Sequence, residues 1–371
     1  MTDLVLVSLE GWDDVWRRNQ HLVSRILDGD PGLRVLFVEP PADPLHDLAS
    51  RRRPSRAFGP VAAGFGGRLL RFRPLKALPR RLDPRADERL ALAVRRAADK
   101  VGMGQPLLWL NDPRAADLAR SAGWPTLYDL TDDWLAADRP AAELDRIRRG
   151  EEWLLRNAAA VVACSQELVR RKAGVRKAID LIPNAVDVAA YRTPKPRPAD
   201  LPAVTAVYVG TLHRDRLDLD VCVATARTLA DRGTVVLVGP DALDPADTKR
   251  LQVAGVMVLG ARRHDEVVAY LQHADVLLVP HAVSPFTDSL DPIKLYEYAA
   301  VGRPVVSTPV AGFRDAADPR VLVAPASAFP ATVASLLPAT SRFPDGAEGA
   351  AADWDDRAAA MRAVIDRMRP R

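Results

Sequence analysis

Short apolar runs alternate with longer amphipathic stretches along nearly the whole chain. Residues 4–9, 34–39, 107–111, 126–130, 159–164 and 179–182 read as buried strands, because each is brief, apolar and bounded by polar or turn-forming residues. Between them, residues 17–27, 86–101, 114–122, 141–157 and 166–172 repeat apolar positions at helical spacing. Such alternation predicts a parallel sheet covered on both faces, with ligands beyond the carboxyl ends of its strands. Residues 193–202 hold four prolines in ten positions, which neither a helix nor a central strand accommodates, so a stiff linker is expected. The pattern then resumes, with strands at 204–209, 234–238, 256–259, 276–280 and 304–308 and helices at 217–231, 264–273 and 292–301. A last helix is expected over 351–365, with Trp354, Met361 and Ile365 on one side. The expected organisation is an α/β domain over 1–192, the linker 193–202, a second α/β domain over 203–345 and a terminal helical segment over 346–371.

Length and composition agree with two domains: 371 residues, 48% apolar and 27% charged, describe a folded chain rather than a disordered one. No apolar run reaches the length of a membrane-spanning helix, and the first residues lack the order of a secretory signal. A cytoplasmic location is expected. Cys164 and Cys222 each lie in an apolar stretch, which suits buried thiols and supports neither a disulfide framework nor a zinc site. The net charge of +4 is unevenly spread, since residues 51–100 carry 15 Arg or Lys and 4 Asp or Glu. Such a patch could face phosphate, anionic lipid or nucleic acid, or reflect an arginine-rich composition. Within it, residues 68–81 could make weak peripheral contact with the inner membrane face. The prolines there oppose one long helix and favour a solvated loop or strand edge. Nucleic acid is disfavoured by the lack of an aromatic-studded sheet motif or a helix-turn-helix.

The candidate chemistry concentrates at residues 289–297. Ser289, Leu290 and Asp291 precede a helix opened by Pro292 and Ile293, whose free N–H groups and dipole attract an anion. Lys294 adds a full positive charge, and Glu297 follows three residues later on the same face. A lysine for phosphate and a carboxylate for a ribose diol would suit a nucleoside diphosphate, although the same spacing also makes an ordinary surface ion pair. Residues 206–218 form a second loop of this kind. There a strand runs into Gly210 and Thr211, and Arg214 and Arg216 supply cations suited to phosphate oxygens.

These segments resemble glycosyltransferase family 4, of the GT-B fold. The resemblance is carried by Gly210-Thr-Leu, Gly239-Pro240, residues 259–263, residues 274–280 and the run 294–308. It implies two Rossmann-like domains facing each other across a cleft, with the C-terminal helix returning to the N-terminal domain. It also implies a nucleotide-sugar donor as co-substrate, a retaining reaction and no catalytic metal or cofactor. On that resemblance Glu297 holds the ribose, Lys294 and Arg214 or Arg216 hold the diphosphate, and backbone near Ala261 and Arg262 reads the base. Many members carry two glutamates eight positions apart. Here the partner of Glu297 is Ser289, which leaves the sugar open.

In the first half, residues 8–21 leave the first strand with Trp12 and Trp16 four residues apart, flanked by Asp13, Arg17 and Gln20. Aromatic faces with polar neighbours suit an acceptor ring, though either tryptophan could instead cap the core. This segment, residues 38–41, 128–134, 151–155 and 182–187 resemble a bacterial branch of the same family often linked to cell-wall or capsule polymers and natural products. Asp132 and Asp133 follow a predicted strand, where one could orient an acceptor hydroxyl and the other cap the next helix. Two rival functions share the architecture: a sugar-nucleotide epimerase and a nucleotide-sugar-binding protein without turnover.

Overall fold

The computed structural model describes residues 2–12, 16–49, 53–80, 82–137, 139–284, 287–289, 291–337 and 352–369. Two compact α/β units result, one of residues 1–183 with 355–371 and one of residues 184–354. The C-terminal helix, Trp354–Met368, thus belongs almost wholly with the N-terminal strands. Ion pairs from Arg25 to Asp355 and from Arg367 to Asp180, at 2.5 and 2.6 Å, fasten it there.

In chain order the strands of the first unit are β1 (Thr2–Val7), β2 (Leu33–Val38), β3 (Phe58–Ala62), β4 (Leu69–Arg73), β5 (Leu107–Leu110), β6 (Thr126–Leu130), β7 (Ala160–Ala163) and β8 (Asp180–Leu181). They form one sheet in the order β3-β4-β2-β1-β5-β6-β7-β8, parallel except for β3. The helix Ala86–Lys100 covers one face through Ala91, Val94, Ala97 and Ala98, the apolar stripe that its sequence spacing predicts. β3 was not expected from sequence, and β4 falls in residues 68–81, where a loop or strand edge was expected. Arg71 and Arg73 interrupt the apolar pattern of β4, and the structure shows why a strand survives there. Both guanidiniums bind the buried carboxylate of Glu39, at the end of the neighbouring β2, with Arg71 at 2.5 Å. A buried charge is tolerable only when paired in this way.

In the second unit the strands are β9 (Thr205–Val209), β10 (Thr234–Val238), β11 (Met257–Gly260), β12 (Val276–Val279), β13 (Val305–Ser307) and β14 (Val321–Val323). All run parallel, in the order β11-β10-β9-β12-β13-β14. Runs such as Thr-Val-Val-Leu-Val in β10 are buried on both faces, which explains their lack of polar alternation. Asp218 caps the helix Leu219–Leu229 by accepting from the N–H groups of Asp220 and Val221. The proline-rich residues 193–202 lie inside this unit, held where Lys195 N–H donates to Gln272 and Arg197 to the His273 carbonyl.

In each sheet the strand order reverses beside the first strand of the unit: after β1 toward β5, and after β9 toward β12. Open parallel sheets bind ligands at such switch points, outside the carboxyl ends of the strands.

Candidate functional site

The switch point of the second unit is built from three strand ends. Gly210, directly after β9, has φ +150°, and Gly239, directly after β10, has φ +147°. A Cβ on Gly239 would stand 2.1 Å from the Gly210 carbonyl oxygen, and one on Gly210 would stand 2.6 Å from Lys294 Nζ. Only glycine permits both this backbone and this close approach. From β12 the chain continues through Pro280 to His281, which bridges Leu217 in an antiparallel contact. The buried His281 ring lies edge-on to Tyr208, and its Nε2 is 3.3 Å from the Tyr208 hydroxyl. Burial, reinforced by Lys294 and Arg216, pushes this imidazole well below its usual titration range, so it is neutral.

The helix Ile293–Val301 approaches the same place, with Pro292 as its N-cap. Lys294 projects from the first turn over the Tyr208 ring, 5.2 Å from its centroid. Its ammonium makes no hydrogen bond or ion pair with the described residues. Desolvation lowers its pKa to about 8; Glu297 opposes that shift and Arg216 adds to it. One turn later, Glu297 accepts a hydrogen bond from the Tyr191 hydroxyl at 2.5 Å, and its second oxygen takes none from the described residues. Desolvation and this carboxylate together raise the Tyr191 pKa, so the hydroxyl remains a donor. Half-buried Ile293 opens the helix beside them. A helix N-terminus, a cation without a counter-ion and a carboxylate one turn on can hold a diphosphate with its ribose.

Other sequence candidates are sorted by their partners. Arg216 is half-buried and close enough to depress the Lys294 pKa, whereas Arg214 is exposed and tied to Asp247. Arg216→Ala is therefore expected to weaken nucleotide binding about tenfold, the lower end for a charged hydrogen bond. Arg214→Ala should stay within about twofold, as exposed pairs contribute little; calorimetric titration of both variants distinguishes the two. Thr211 and Ala261 are exposed. The Arg262 side chain folds onto its own loop, donating to Tyr270 Oη at 3.0 Å, Leu259 O at 2.7 Å and Asp200 at 2.7 Å. Asp291 is also committed: it accepts from Asn184 N–H at 2.5 Å and from the Tyr296 hydroxyl at 2.8 Å. Ser289 is fully buried in the 3₁₀ turn Thr287–Ser289, and Leu290 lies outside the described residues.

The structure also brings in residues that sequence reasoning missed. Tyr208, His281, Tyr191 and Asn184 all reach the site from distant segments. A polar residue just past the apolar run 276–280 was the available signal for His281.

In the first unit, Trp12 packs edge-on against Phe37, with centroids 5.1 Å apart, and Trp16 stands next to it at 6.2 Å, about one third exposed. Gln20 is buried and closes the loop, donating to Gly11 O at 2.9 Å and accepting from Arg17 N–H at 3.2 Å. Arg17 pairs with Glu10 at 3.5 Å, and Asp13 lies outside the described residues. Asp132 is half-buried and accepts from the Thr131 hydroxyl at 3.2 Å. Asp133 is buried between Arg171 at 2.8 Å and Lys172 at 2.9 Å. Burial works to raise its pKa, but these cations prevail and hold it below the usual carboxylate range. In the basic stretch, Lys76 pairs with Asp43, Arg80 with Asp87, and Arg68 with three backbone carbonyls.

Comparison with known proteins gives this geometry its context. Residues 203–338 match the family model for glycosyl transferases group 1. TuaH of Bacillus subtilis, named as a teichuronic acid biosynthesis glycosyltransferase, is 25% identical over 218 residues, 54% of this chain and 55% of TuaH. The chain thus spans about half the length of the curated relative it matches. A sucrose-phosphate synthase from Thermosynechococcus elongatus superposes over 99% of both chains, with a TM-score of 0.71 and 20% identity. The fold is GT-B. Anabaena HepE, in complex with UDP and glucose, gives a TM-score of 0.63 at 16% identity, covering 98% of this chain and 95% of HepE. Among the described residues no group of three or more His, Cys, Asp or Glu could hold a metal ion. No helix among them is long and apolar enough to cross a membrane.

The Lys294 pKa sets a pH dependence. Only the ammonium form pairs with a diphosphate, and it falls from roughly nine-tenths at pH 7 to one-tenth at pH 9 for a pKa near 8. Nucleotide affinity should therefore drop about tenfold between pH 7 and pH 9. Lys294→Arg, which stays charged, should flatten the profile. Stability of the unliganded protein runs the opposite way. The folded pKa lies below that of an ordinary lysine, so the unfolded chain binds more protons in that window and this group's contribution rises with pH.

Proposed function

We propose that this protein is a retaining, metal-independent glycosyltransferase of the family 4 type. It would move a sugar from a UDP- or GDP-sugar to a small-molecule, natural-product or cell-envelope acceptor. The observation that carries this reading is the unpartnered Lys294 ammonium at a helix N-terminus, one turn before a carboxylate with an open oxygen. The family match over the same unit supports sugar transfer, and the UDP held by HepE favours a uridine nucleotide.

In the proposed reaction the bond from the anomeric carbon to the β-phosphate oxygen breaks, and its electron pair leaves with the phosphate. Lys294, Arg216 and the helix N-terminus meet that growing charge. The acceptor oxygen forms the new bond on the same face of the sugar, and its proton passes to the departing phosphate. Asp132, half-buried just after β6, is proposed to orient the acceptor hydroxyl, while Asp133 holds Arg171 and Lys172. Within residues 68–81, Arg71, Arg73, Lys76 and Arg80 are already paired, which disfavours a membrane contact there.

Incubation with UDP- and GDP-sugars, with and without a mixed acceptor panel, tests the proposal by NMR. Acceptor-dependent nucleotide release with retained anomeric configuration is the expected result. An epimerised donor in the absence of acceptor, or tight nucleotide binding with no turnover on any acceptor, would replace it with one of the rival functions.

A further inference from the structure

The switch point of the first unit also has a cavity, of about 140 Å³, and none of the tryptophan-loop candidates lines it. It opens among the residues following β1, β2, β4 and β5, against the first half of the helix Ala86–Lys100. Val38, Leu90, Ala91, Val94 and Leu118 supply much of the apolar lining, with the flat rings of Pro40, Pro41 and Pro74.

Six charged residues also line it, but none is left over for a ligand. Glu39 is bound by Arg71 and Arg73, Arg80 by Asp87, Arg114 by Asp112 and Glu143, and Asp117 by Arg120. With these partners the set holds five carboxylates and five guanidiniums, so it is neutral as a group. A charged guest would be desolvated here without a counter-charge, whereas a neutral one meets apolar surface. An apolar protein cavity of about 150 Å³ accommodates benzene, so this volume suits one six-membered ring. Two guanidiniums in the lining favour a ring with an electron-rich face over a saturated one.

We propose that this cavity is a specificity pocket for a single neutral aromatic ring carried by the acceptor. The assignment to an acceptor rests on the glycosyltransferase reading; the preference for a neutral aromatic ring does not.

The test is ligand-observed NMR with the full chain and no nucleotide, using benzyl alcohol, cyclohexanol, benzoate and benzylamine as probes. Benzyl alcohol should bind with a dissociation constant on the order of 1 mM, as expected for so small a ligand. The other three should bind at least about fivefold more weakly, because they lack the π face or carry a charge the pocket does not match. Ala91→Leu, which fills the cavity, should abolish benzyl alcohol binding and leave nucleoside diphosphate binding unchanged. Should that variant not fold, Leu118→Ala serves instead, since the enlarged cavity should gain affinity for 2-naphthol relative to benzyl alcohol. Equal binding of benzoate or benzylamine, no binding of benzyl alcohol, or undiminished binding in folded Ala91→Leu would overturn the proposal. Nucleotide titration of the same samples separates the two readings. Ring binding without nucleotide binding would count against the transferase, and nucleotide binding without ring binding against the pocket.

Discussion

Lys294→Ala is expected to weaken nucleoside diphosphate binding about 10- to 150-fold while leaving the unliganded protein at least as stable. Loss of a charge-assisted hydrogen bond to a ligand costs roughly 1.5–3 kcal/mol, and each 1.4 kcal/mol is tenfold in affinity. Most lysines this desolvated have a carboxylate partner, whose removal would orphan a buried charge. Lys294 is bonded to none: Glu297, one turn on, attracts it without an ion pair and keeps its hydrogen bond from Tyr191, so alanine orphans no bonded partner. What disappears is a desolvation penalty and a contact with the Tyr208 ring, and these oppose each other. Calorimetry for affinity and a thermal melt for stability give a paired signature. A general packing role would instead lower both.

Gly239→Ala is expected to cost roughly 2–6 kcal/mol and to abolish nucleotide binding. The backbone at φ +147° disfavours any side chain, which accounts for about 1–3 kcal/mol. The added methyl would meet the Gly210 carbonyl oxygen at 2.1 Å, and backbone cannot swing aside as a side-chain tip can. Overpacking of this kind accounts for about another 1–3 kcal/mol. Because the chain has two units, the effect should appear as an early transition of the second unit rather than one shifted midpoint. An unchanged melt with unchanged affinity would show that the three strand ends are not held this tightly.

Most of the parallel strands were legible because both faces are buried, which writes each one as a short apolar run. Elements that break this rule were hidden. β4 carries two arginines whose partner, Glu39, lies 32 and 34 positions away. β14 is short and mostly exposed, so it offers little apolar signal. Part of the candidate site was readable as a motif, because the helix N-terminus, Lys294 and Glu297 are neighbours in sequence. Its remaining parts were not, since Tyr208 and His281 meet across 73 positions and Tyr191 reaches Glu297 across 106. Choices between close neighbours also needed coordinates. That Arg214 meets Asp247, and that Asp133 meets Arg171 and Lys172, is visible only in the structure.

A crystal structure with a bound nucleoside diphosphate tests the central claim most directly. Phosphate oxygens should lie within hydrogen-bond distance of Lys294 Nζ, and a ribose hydroxyl on the open oxygen of Glu297. Nucleotide bound only in the first unit, or bound in the second without contact to either residue, would contradict it.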